Sequence, residues 1–357
     1  MYLSSLHLEQ FRNYHDRLFS FQEPTTLIVG DNASGKTNIL EAVYLLATAK
    51  SFRAQRIEEM IFYDEPLARV KGSAVSVSEG EGAQQSELTL EILLTRGEIQ
   101  GRRVAKRRYQ VDGVAKRYAD FAGTFSAVLF RPEDLDIILG TPHVRRRFLD
   151  DVLSQVDREY RRSLVSYEKA LMRRNRILDA IREREVSRTQ LTFWDQLLIR
   201  HGQLLTQKRT DFIEMINTSP TQLDSFTVKY DSSTISAARL GQYAEQEVVV
   251  GYTLVGPHKD DFGVEFEDGK ALIQYGSRGE QRLAVLWLKL AELSFIAQKN
   301  GERPVLLLDD IFSELDQEHR ALVMKVILDQ QTLITTTDLQ FIKVDLLRGY
   351  SLVSLSG

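Results

Sequence analysis

The chain has 357 residues, a formal net charge of −4 and no cysteine, and 43% of its residues are hydrophobic. This length indicates two domains, or one large domain with an insertion, and the slightly acidic total excludes a protein that is basic throughout. The lack of cysteine excludes disulfides, thiolate metal sites and cysteine nucleophiles. The first residues lack the basic start and apolar core of a signal peptide, and no run of about 18 apolar residues occurs, so we expect a cytoplasmic protein without a membrane segment.

The N-terminal region predicts two strands, a loop rich in small residues and a helix. Apolar residues alternate with others in residues 2–8, as in a strand. Residues 25–29 are β-branched and apolar, which suits a buried strand, and residues 38–46 show the apolar face of a helix. Residues 68–112 hold further candidate strands separated by polar turns.

The middle of the chain predicts a pair of long helices. A first apolar stripe, spaced by three and four residues with one gap at Arg174, comprises Tyr160, Leu164, Tyr167, Leu171, Leu178 and Ile181. A second stripe comprises Trp194, Leu197, Leu198, His201, Leu205, Phe212 and Ile216. Two such helices joined by a polar turn form an antiparallel hairpin, so we predict an inserted helical arm over residues 131–250.

Strand patterns return in the C-terminal region. Residues 304–310 form an apolar strand that ends in Asp309 and Asp310, and residues 332–337 form another. Helical patterns lie at about residues 279–298 and 317–328, and such alternation indicates parallel strands with crossover helices. The predicted organisation is therefore an α/β domain made of residues 1–130 and 251–357, interrupted by the arm.

A complete P-loop pattern stands between the predicted strand at residues 25–29 and the helix that follows it. Its glycines allow successive N–H groups to turn toward one point, and the helix adds its positive N-terminal end. The lysine can reach the β- and γ-phosphates of ATP, and the threonine can hold Mg²⁺. The predicted nucleotide-binding residues are Gly30, Asp31, Asn32, Ala33, Ser34, Gly35, Lys36 and Thr37.

The acidic end of the strand at residues 304–310 is the expected second half of such a site. We predict that Asp309 orients Mg²⁺ or its water, and that Asp310 polarises the attacking water. Lys36, Asp309 and Asp310 are thus the predicted catalytic residues, and Thr37 and Asp309 the metal ligands. A strand that simply ends at a polar turn is the alternative.

A loop of serine, glycine and glutamine precedes the acidic strand and opens a helix. Ser277, Gly279 and Gln281 resemble the signature loop of ATP-binding-cassette (ABC) ATPases, in which a serine hydroxyl faces the γ-phosphate held by a second subunit. The alternative for Ser277 is a plain N-cap. Residues 313–316 resemble the loop through which cassette dimers contact each other, and a helix-capping motif is again the alternative.

Together the motifs resemble the RecF family of DNA replication and repair proteins, which are related to the structural-maintenance-of-chromosomes (SMC) ATPases. The resemblance runs through residues 11–14, 30–42, 50–53, 130–135, 145–150, 256–261, 277–281 and 306–316. It implies an ABC-type P-loop ATPase head with an inserted α-helical arm, binding of ATP and Mg²⁺, ATP-dependent homodimerisation and DNA binding. It also implies loading of RecA at single-stranded gaps with RecO and RecR, and support of the SOS response.

Two departures from general cassette ATPases predict slow, switch-like hydrolysis. Asp310 stands where transporters usually have glutamate, and Thr337 where they have a switch histidine. The alternatives to a DNA repair ATPase are an SMC-like chromosome-organising ATPase, which needs far longer arms, and an ABC transporter motor subunit. A small-molecule P-loop kinase is disfavoured by the late second acid and by the signature loop.

Basic residues cluster despite the acidic total, and they are the predicted DNA contacts because the arginine fork binds two phosphate oxygens. These candidates are Arg102, Arg103, Arg107, Arg108, Arg145, Arg146 and Arg147, with further arginines along the arm. Solvated arginines paired with acids are the alternative. No base-reading motif occurs, so we expect phosphate-dominated binding of single-stranded or gapped DNA that weakens steeply with salt.

Overall fold

The computed structural model describes residues 1–21, 24–77, 85–218, 226–313, 315, 317–342, 347 and 349–355. The chain divides into two compact units, one made of Met1–Asp134 and Glu292–Gly357 and the other of Leu135–Ala291. The strands are β1 (Tyr2–Phe11), β2 (Tyr14–Ser20), β3 (Thr25–Gly30), β4 (Leu67–Val77), β5 (Gln85–Thr95), β6 (Glu98–Ile99), β7 (Arg102–Arg103), β8 (Arg107–Val111), β9 (Val114–Lys116), β10 (Ala127–Phe130), β11 (Phe226–Asp231), β12 (Asp261–Phe266), β13 (Val305–Asp309), β14 (Thr332–Thr336) and β15 (Tyr350–Leu355). The helices are α1 (Lys36–Thr48), α2 (Tyr118–Phe121), α3 (Asp136–Leu139), α4 (Pro142–Val156), α5 (Arg158–Arg182), α6 (Thr192–Thr218), α7 (Ala237–Val250), α8 (Leu272–Tyr275), α9 (Arg278–Asn300) and α10 (Gln317–Ile327).

The first unit contains a five-stranded sheet in the order β10-β13-β14-β3-β15, and every neighbouring pair in it is parallel. The predicted parallel strands are confirmed. β13 and β14 are buried along their whole length, as expected for strands covered on both faces. Because the strands run in one direction, the residues after β3, β13 and β14 emerge at the same edge of the sheet.

The same unit also contains a six-stranded antiparallel sheet in the order β2-β1-β4-β5-β8-β9. Helix α1 shares one hydrophobic core with both sheets, and residues such as Ile39, Val43 and Leu46 in it are fully buried. A helix that is apolar around most of its circumference can be stable only when it is covered on all sides. The helix that begins at the P-loop is therefore held rigidly at the centre of the unit.

The second unit is mainly helical, and α5 and α6 pack as the predicted antiparallel pair. Leu164 and Leu178 of the first stripe and Leu205 and Phe212 of the second are buried. The gap in the first stripe is filled by the buried Arg174. The second stripe has a similar interruption, which is filled by Arg209, 2% exposed.

The second unit takes in residues 251–291, which the sequence analysis assigned to the ATPase head. The pairing of β12 with β11 explains this grouping, since it joins residues on the two sides of position 251 in one antiparallel ladder. Helix α9 begins in the second unit and ends in the first. Of the helices that the structure describes, none is long and apolar enough to cross a membrane.

Candidate nucleotide-binding site

The loop between β3 and α1 has the backbone of a phosphate cradle. Gly35 has a φ of 103° and Ala33 a φ of 66°, in the left-handed region that turns N–H groups inward. A Cβ atom on Gly35 would lie 2.7 Å from Asn13 Nδ2 and 2.7 Å from the Tyr14 hydroxyl. A Cβ atom on Gly30 would lie 2.7 Å from a backbone carbonyl oxygen of β15. Gly30 is therefore required by its close packing against β15, and Gly35 by its positive φ.

Lys36 and Ser34 supply the polar groups of this cradle. The Lys36 ammonium group donates to the carbonyl oxygens of Gly30 at 2.6 Å and Asp31 at 2.8 Å. The Ser34 hydroxyl is buried and has no hydrogen-bond partner among the described residues. Asp31, Asn32 and Ala33 are exposed at the mouth of the loop. A cationic group, an unused hydroxyl and a backbone nest together fit a triphosphate.

Asp309, at the end of β13, lies beside the first turn of α1. Its Oδ1 atom accepts from the Thr37 hydroxyl at 3.0 Å and from the Thr335 hydroxyl at 2.7 Å, although Thr37 and Asp309 are 272 positions apart. Burial raises the pKa of the Asp309 carboxyl, and the charge of Glu133 adds to the rise, whereas the two hydroxyl donors oppose it. The Thr37 hydroxyl and a poorly solvated carboxylate fit Mg²⁺, which keeps most of its ligands as water and phosphate oxygen.

Asp310 follows with a φ of 51°, an uncommon conformation for a residue other than glycine. Its N–H lies 3.1 Å from the Thr335 hydroxyl and 3.2 Å from the Thr335 carbonyl oxygen, which fixes the turn. Thr335 therefore positions both acids, although it belongs to none of the motifs that predicted the site. The strand register could have indicated this role, because Thr335 lies directly opposite Asp309 in the parallel ladder.

Residues from the segment between β1 and β2 also hold the P-loop helix, and these too were not assigned from sequence. Arg12 makes a two-point ion pair at 2.7 and 2.6 Å with Glu41, whose side chain is fully buried in α1. The Asn13 oxygen accepts from Asn38, and the Asn38 oxygen accepts from the Arg53 guanidinium at 3.1 Å. The charge of Arg53 also lowers the pKa of Asp309, which places a cation within electrostatic reach of that acid.

The signature-like loop lies in the second unit, at the start of α9. Ser277 caps this helix: its hydroxyl and its N–H both donate to Glu280 at 2.7 Å, and it accepts from the Glu280 N–H at 3.3 Å. These donors hold the pKa of Glu280 below its ordinary value. Gln281 is buried and donates to the Gly276 carbonyl oxygen at 3.1 Å, whereas Ser277 and Gly279 are exposed.

Within one chain Ser277 therefore acts as an N-cap, and it lies on an exposed loop. In the loop at residues 313–316, the Ser313 hydroxyl donates to the Asp310 carbonyl oxygen at 2.8 Å. Glu314 and Asp316 lie outside the described residues.

The candidate DNA-contacting arginines fall into two groups: those at residues 145–147 contact acidic residues or backbone of the second unit, and those at residues 102–108 are mostly exposed. Arg145 makes a two-point ion pair with Asp261 at 2.6 and 2.9 Å, and Arg146 donates to the Asp260 carbonyl oxygen at 2.8 Å. Burial, together with the neighbouring Arg209, lowers the pKa of Arg146. Arg147 lies 3.5 Å from Asp151. Arg102, Arg103 and Arg108 are exposed, and Arg107 is half-buried.

The motif at residues 256–261 forms a buried polar junction within the second unit. Asp260 accepts from Arg209 at 2.9 Å and from the Tyr230 hydroxyl at 2.5 Å. His258 accepts from the Tyr167 hydroxyl at 2.7 Å on Nδ1 and donates to the Thr253 carbonyl oxygen on Nε2, and burial lowers its pKa to about 4. Both ring nitrogens are occupied, so His258 has a structural role.

Residues 2–349 match the family model described as the RecF/RecN/SMC N terminal domain. The chain is 35% identical over 361 residues to the DNA replication and repair protein RecF of Halalkalibacterium halodurans, covering 95% of this chain and 93% of the relative. It is 36% identical to RecF of Herpetosiphon aurantiacus, covering 95% and 94%. Among solved structures it is similar to the recombination mediator protein RecF-ATPrS in the RecFOR pathway, with a TM-score of 0.85, 30% identity and coverage of 96% and 94%. The RecF-ATP form gives a TM-score of 0.84 at 30% identity, with coverage of 94% and 92%.

Proposed function

Since this chain belongs to the RecF family, we propose that it is an ATP-dependent DNA-binding protein of recombinational repair and replication. Two copies dimerise around ATP on DNA, with Ser277 of each copy facing the nucleotide held by the other. The dimer helps to load RecA at single-stranded gaps together with RecO and RecR, supports SOS induction and works in the cytoplasm. Its ATPase is slow and DNA-stimulated, and acts as a switch.

The bond between Thr37 and Asp309 is the observation that supports this proposal most directly. It joins the phosphate-binding half of the site to the acidic half within one chain, and Ser277 of the second copy would complete the site. Lys36 would bind the β- and γ-phosphates after leaving its carbonyl partners, and Thr37 and Asp309 would hold the metal ion. Aspartate has a shorter side chain than glutamate, so Asp310 holds an attacking water less favourably. This difference fits an ATPase that hydrolyses ATP slowly and acts as a switch.

The length of the arm favours this function over the SMC-like alternative. Helices α5 and α6 have 25 and 27 residues. At 1.5 Å per residue, helices of this size span roughly 40 Å, far less than a chromosome-organising arm. For a transporter motor the missing switch histidine is the unfavourable feature, since Thr337 stands in its place.

Nucleotide and DNA binding of a Lys36→Ala variant would test the proposed function. We expect the wild type to bind fluorescent ATP with Mg²⁺ and to bind labelled gapped DNA more tightly with ATP than without it. The variant should lose tight nucleotide binding, because it lacks the ammonium group that would bind the β- and γ-phosphates, and should lose the ATP effect on DNA. Lys71→Ala, which changes an exposed lysine on β4, is the matched control and should behave like the wild type. DNA binding by the wild type that does not respond to ATP would contradict the proposal.

A further inference from the structure

We propose that an exposed basic edge of the first unit binds the phosphodiester backbone of DNA. The basic edge consists of Arg102, Arg103, Arg108, Lys116 and Arg117. This inference rests on the proposed DNA-binding function and assigns it a surface.

The basic edge is a local concentration of positive charge in an acidic protein. Residues 96–118 contain eight basic and two acidic side chains, whereas the whole chain has a formal net charge of −4. Of the two acids, Asp112 accepts from the Thr89 N–H at 2.8 Å, and Glu98 lies opposite Arg103 in the β6–β7 ladder. This stretch therefore carries an excess of positive charge, which attracts a polyanion.

The five side chains are available to a ligand. Each is exposed, and none has an ion pair with another residue in the described part of the chain. Their neighbours are already engaged: Lys106 pairs with Glu58, and Arg107 donates to the Ala49 carbonyl oxygen at 3.3 Å. This difference separates Arg107 from Arg108, which sequence alone grouped together.

Part of the basic edge lies on the six-stranded sheet, whereas Arg102 and Arg103 lie on the two-residue strand β7. Arg108 lies on β8, which pairs with β5 over five positions, and β9 forms the outer border of the six-stranded sheet. Charged side chains on a border strand can also serve to prevent edge-to-edge aggregation, a task for which lysine is the usual choice. Four of the five residues are arginine, whose planar fork suits phosphate oxygens, and this composition favours binding.

The basic edge is also tied to the nucleotide site. The Arg107 contact is made at the C-terminal end of α1, where Ala49 caps the helix. A cation is favourable at this end of a helix. Because α1 begins with Lys36 and Thr37, a single helix connects the P-loop with the strand that carries Arg108.

Paired charge reversals would test the basic edge. We would compare Arg102→Glu/Arg103→Glu and Arg108→Glu/Arg117→Glu with the wild type by fluorescence anisotropy, using labelled duplex and single-stranded DNA with ATP and Mg²⁺. Each pair should weaken DNA binding by at least about tenfold, because attraction to phosphate becomes repulsion. The control Lys299→Glu/Arg303→Glu makes the same charge change at the exposed end of α9 and just before β13, and should stay within about twofold of the wild type.

The salt dependence of binding provides a second measurement. The neutral variant Arg102→Gln/Arg103→Gln should lower the slope of log Kd against log salt by about 1.8 on duplex DNA, which corresponds to two lost phosphate contacts. Fluorescent ATP binding would verify that each variant is folded. A loss on duplex, single-stranded or both DNAs supports the inference and identifies the form that the basic edge holds.

Two other outcomes separate the inference from the proposed function. If the wild type binds DNA and both charge-reversed pairs bind equally well, the basic edge serves only solubility and the inference is overturned, while the proposed function stands. If the wild type itself binds no DNA, the proposed function fails.

Discussion

Asp309 accepts hydrogen bonds from two hydroxyl groups and forms no ion pair with the residues that the structure describes. A carboxylate buried in this way carries a cost of desolvation, which hydrogen bonds, a nearby cation or a bound metal ion can offset. Thr37 and Thr335 supply two such hydrogen bonds to one oxygen atom, and burial still dominates, since the pKa of Asp309 is raised. We therefore expect this poorly solvated acid to bind Mg²⁺ together with ATP.

Thr335→Val should weaken the metal-dependent part of nucleotide binding. The substitution preserves shape but removes the hydroxyl that orients Asp309 and accepts from the Asp310 N–H. A hydrogen bond to a charged group contributes about 1.5 kcal/mol or more, so ATP affinity with Mg²⁺ should fall roughly tenfold. Titration of fluorescent ATP with Mg²⁺ and with EDTA would measure this, and only the Mg²⁺ series should change.

The next residue of β14 provides the control for this substitution. Thr336 is equally buried, but its hydroxyl donates to the Asp338 carbonyl oxygen at 2.8 Å and not to either acid. Thr336→Val should therefore leave the response to Mg²⁺ intact. Equal losses in the two variants would show that Thr335 has no special connection to the metal ion.

At this scale, sequence predicted the residues that form contiguous motifs and missed those that approach them through folding. The P-loop was predictable because one short pattern encodes the nest, the cation and the helix end. Arg12 and Arg53 stand in segments that carry the family resemblance, but neither of them was assigned a role from sequence. Together with Thr335 they reach the site from other elements, and the sheet register and the packing of α1 show their positions. Arg145 is the converse case, because its partner Asp261 is distant in sequence and its ion pair was not foreseeable.

The helices of the second unit are joined by buried ion pairs at the two interruptions of their apolar stripes. Arg174 of α5 contacts Asp195 of α6 at 2.6 Å and Glu247 of α7 at 2.7 Å. Arg209 of α6 contacts Asp150 of α4 and Asp260. Sequence periodicity predicted α5 and α6 and about half of their buried positions, but it predicted neither a separate α4 nor α7, and it could not show that the breaks in periodicity are charged junctions.

Arg174→Leu should complete the apolar stripe and still destabilise the second unit. It leaves Glu247 buried without its cation, and such a loss typically costs about 3–5 kcal/mol. Both tryptophans, Trp194 and Trp287, lie in this unit, so urea unfolding followed by tryptophan fluorescence reports on it specifically.

Two further variants would identify the cause of that loss. Adding Glu247→Gln should restore part of the stability, because the amide oxygen can still accept from the Leu254 N–H. Arg173→Leu changes the neighbouring exposed arginine and should have little effect. If Arg174→Leu is as stable as the wild type, the ion pair contributes nothing to the unit.

At the scale of the whole molecule, the chain brings its two ends together in one sheet. β3 lies between β14 and β15, so the N-terminal P-loop strand is inserted among C-terminal strands. The separation of the P-loop from the acids in sequence predicted this closure. The antiparallel second sheet was not predicted beyond candidate strands, because alternation shows a strand and does not show its partners.

Dimerisation around ATP is the proposed property that belongs to the whole molecule, and Ser277 can test it if its two roles are separated. In one chain Ser277 caps α9 together with Glu280, and in the proposed dimer its hydroxyl faces a partner's nucleotide. Ser277→Asp keeps an N-cap oxygen but places a negative charge against the γ-phosphate, whereas Glu280→Ala removes half of the capping box and leaves the hydroxyl in place. We expect Ser277→Asp to bind ATP as a monomer and to remain monomeric in light scattering with ATP, while Glu280→Ala still dimerises. If Ser277→Asp dimerised and Glu280→Ala did not, the serine would matter only as a cap. Dimerisation of Ser277→Asp like that of the wild type would show that the composite site is wrong.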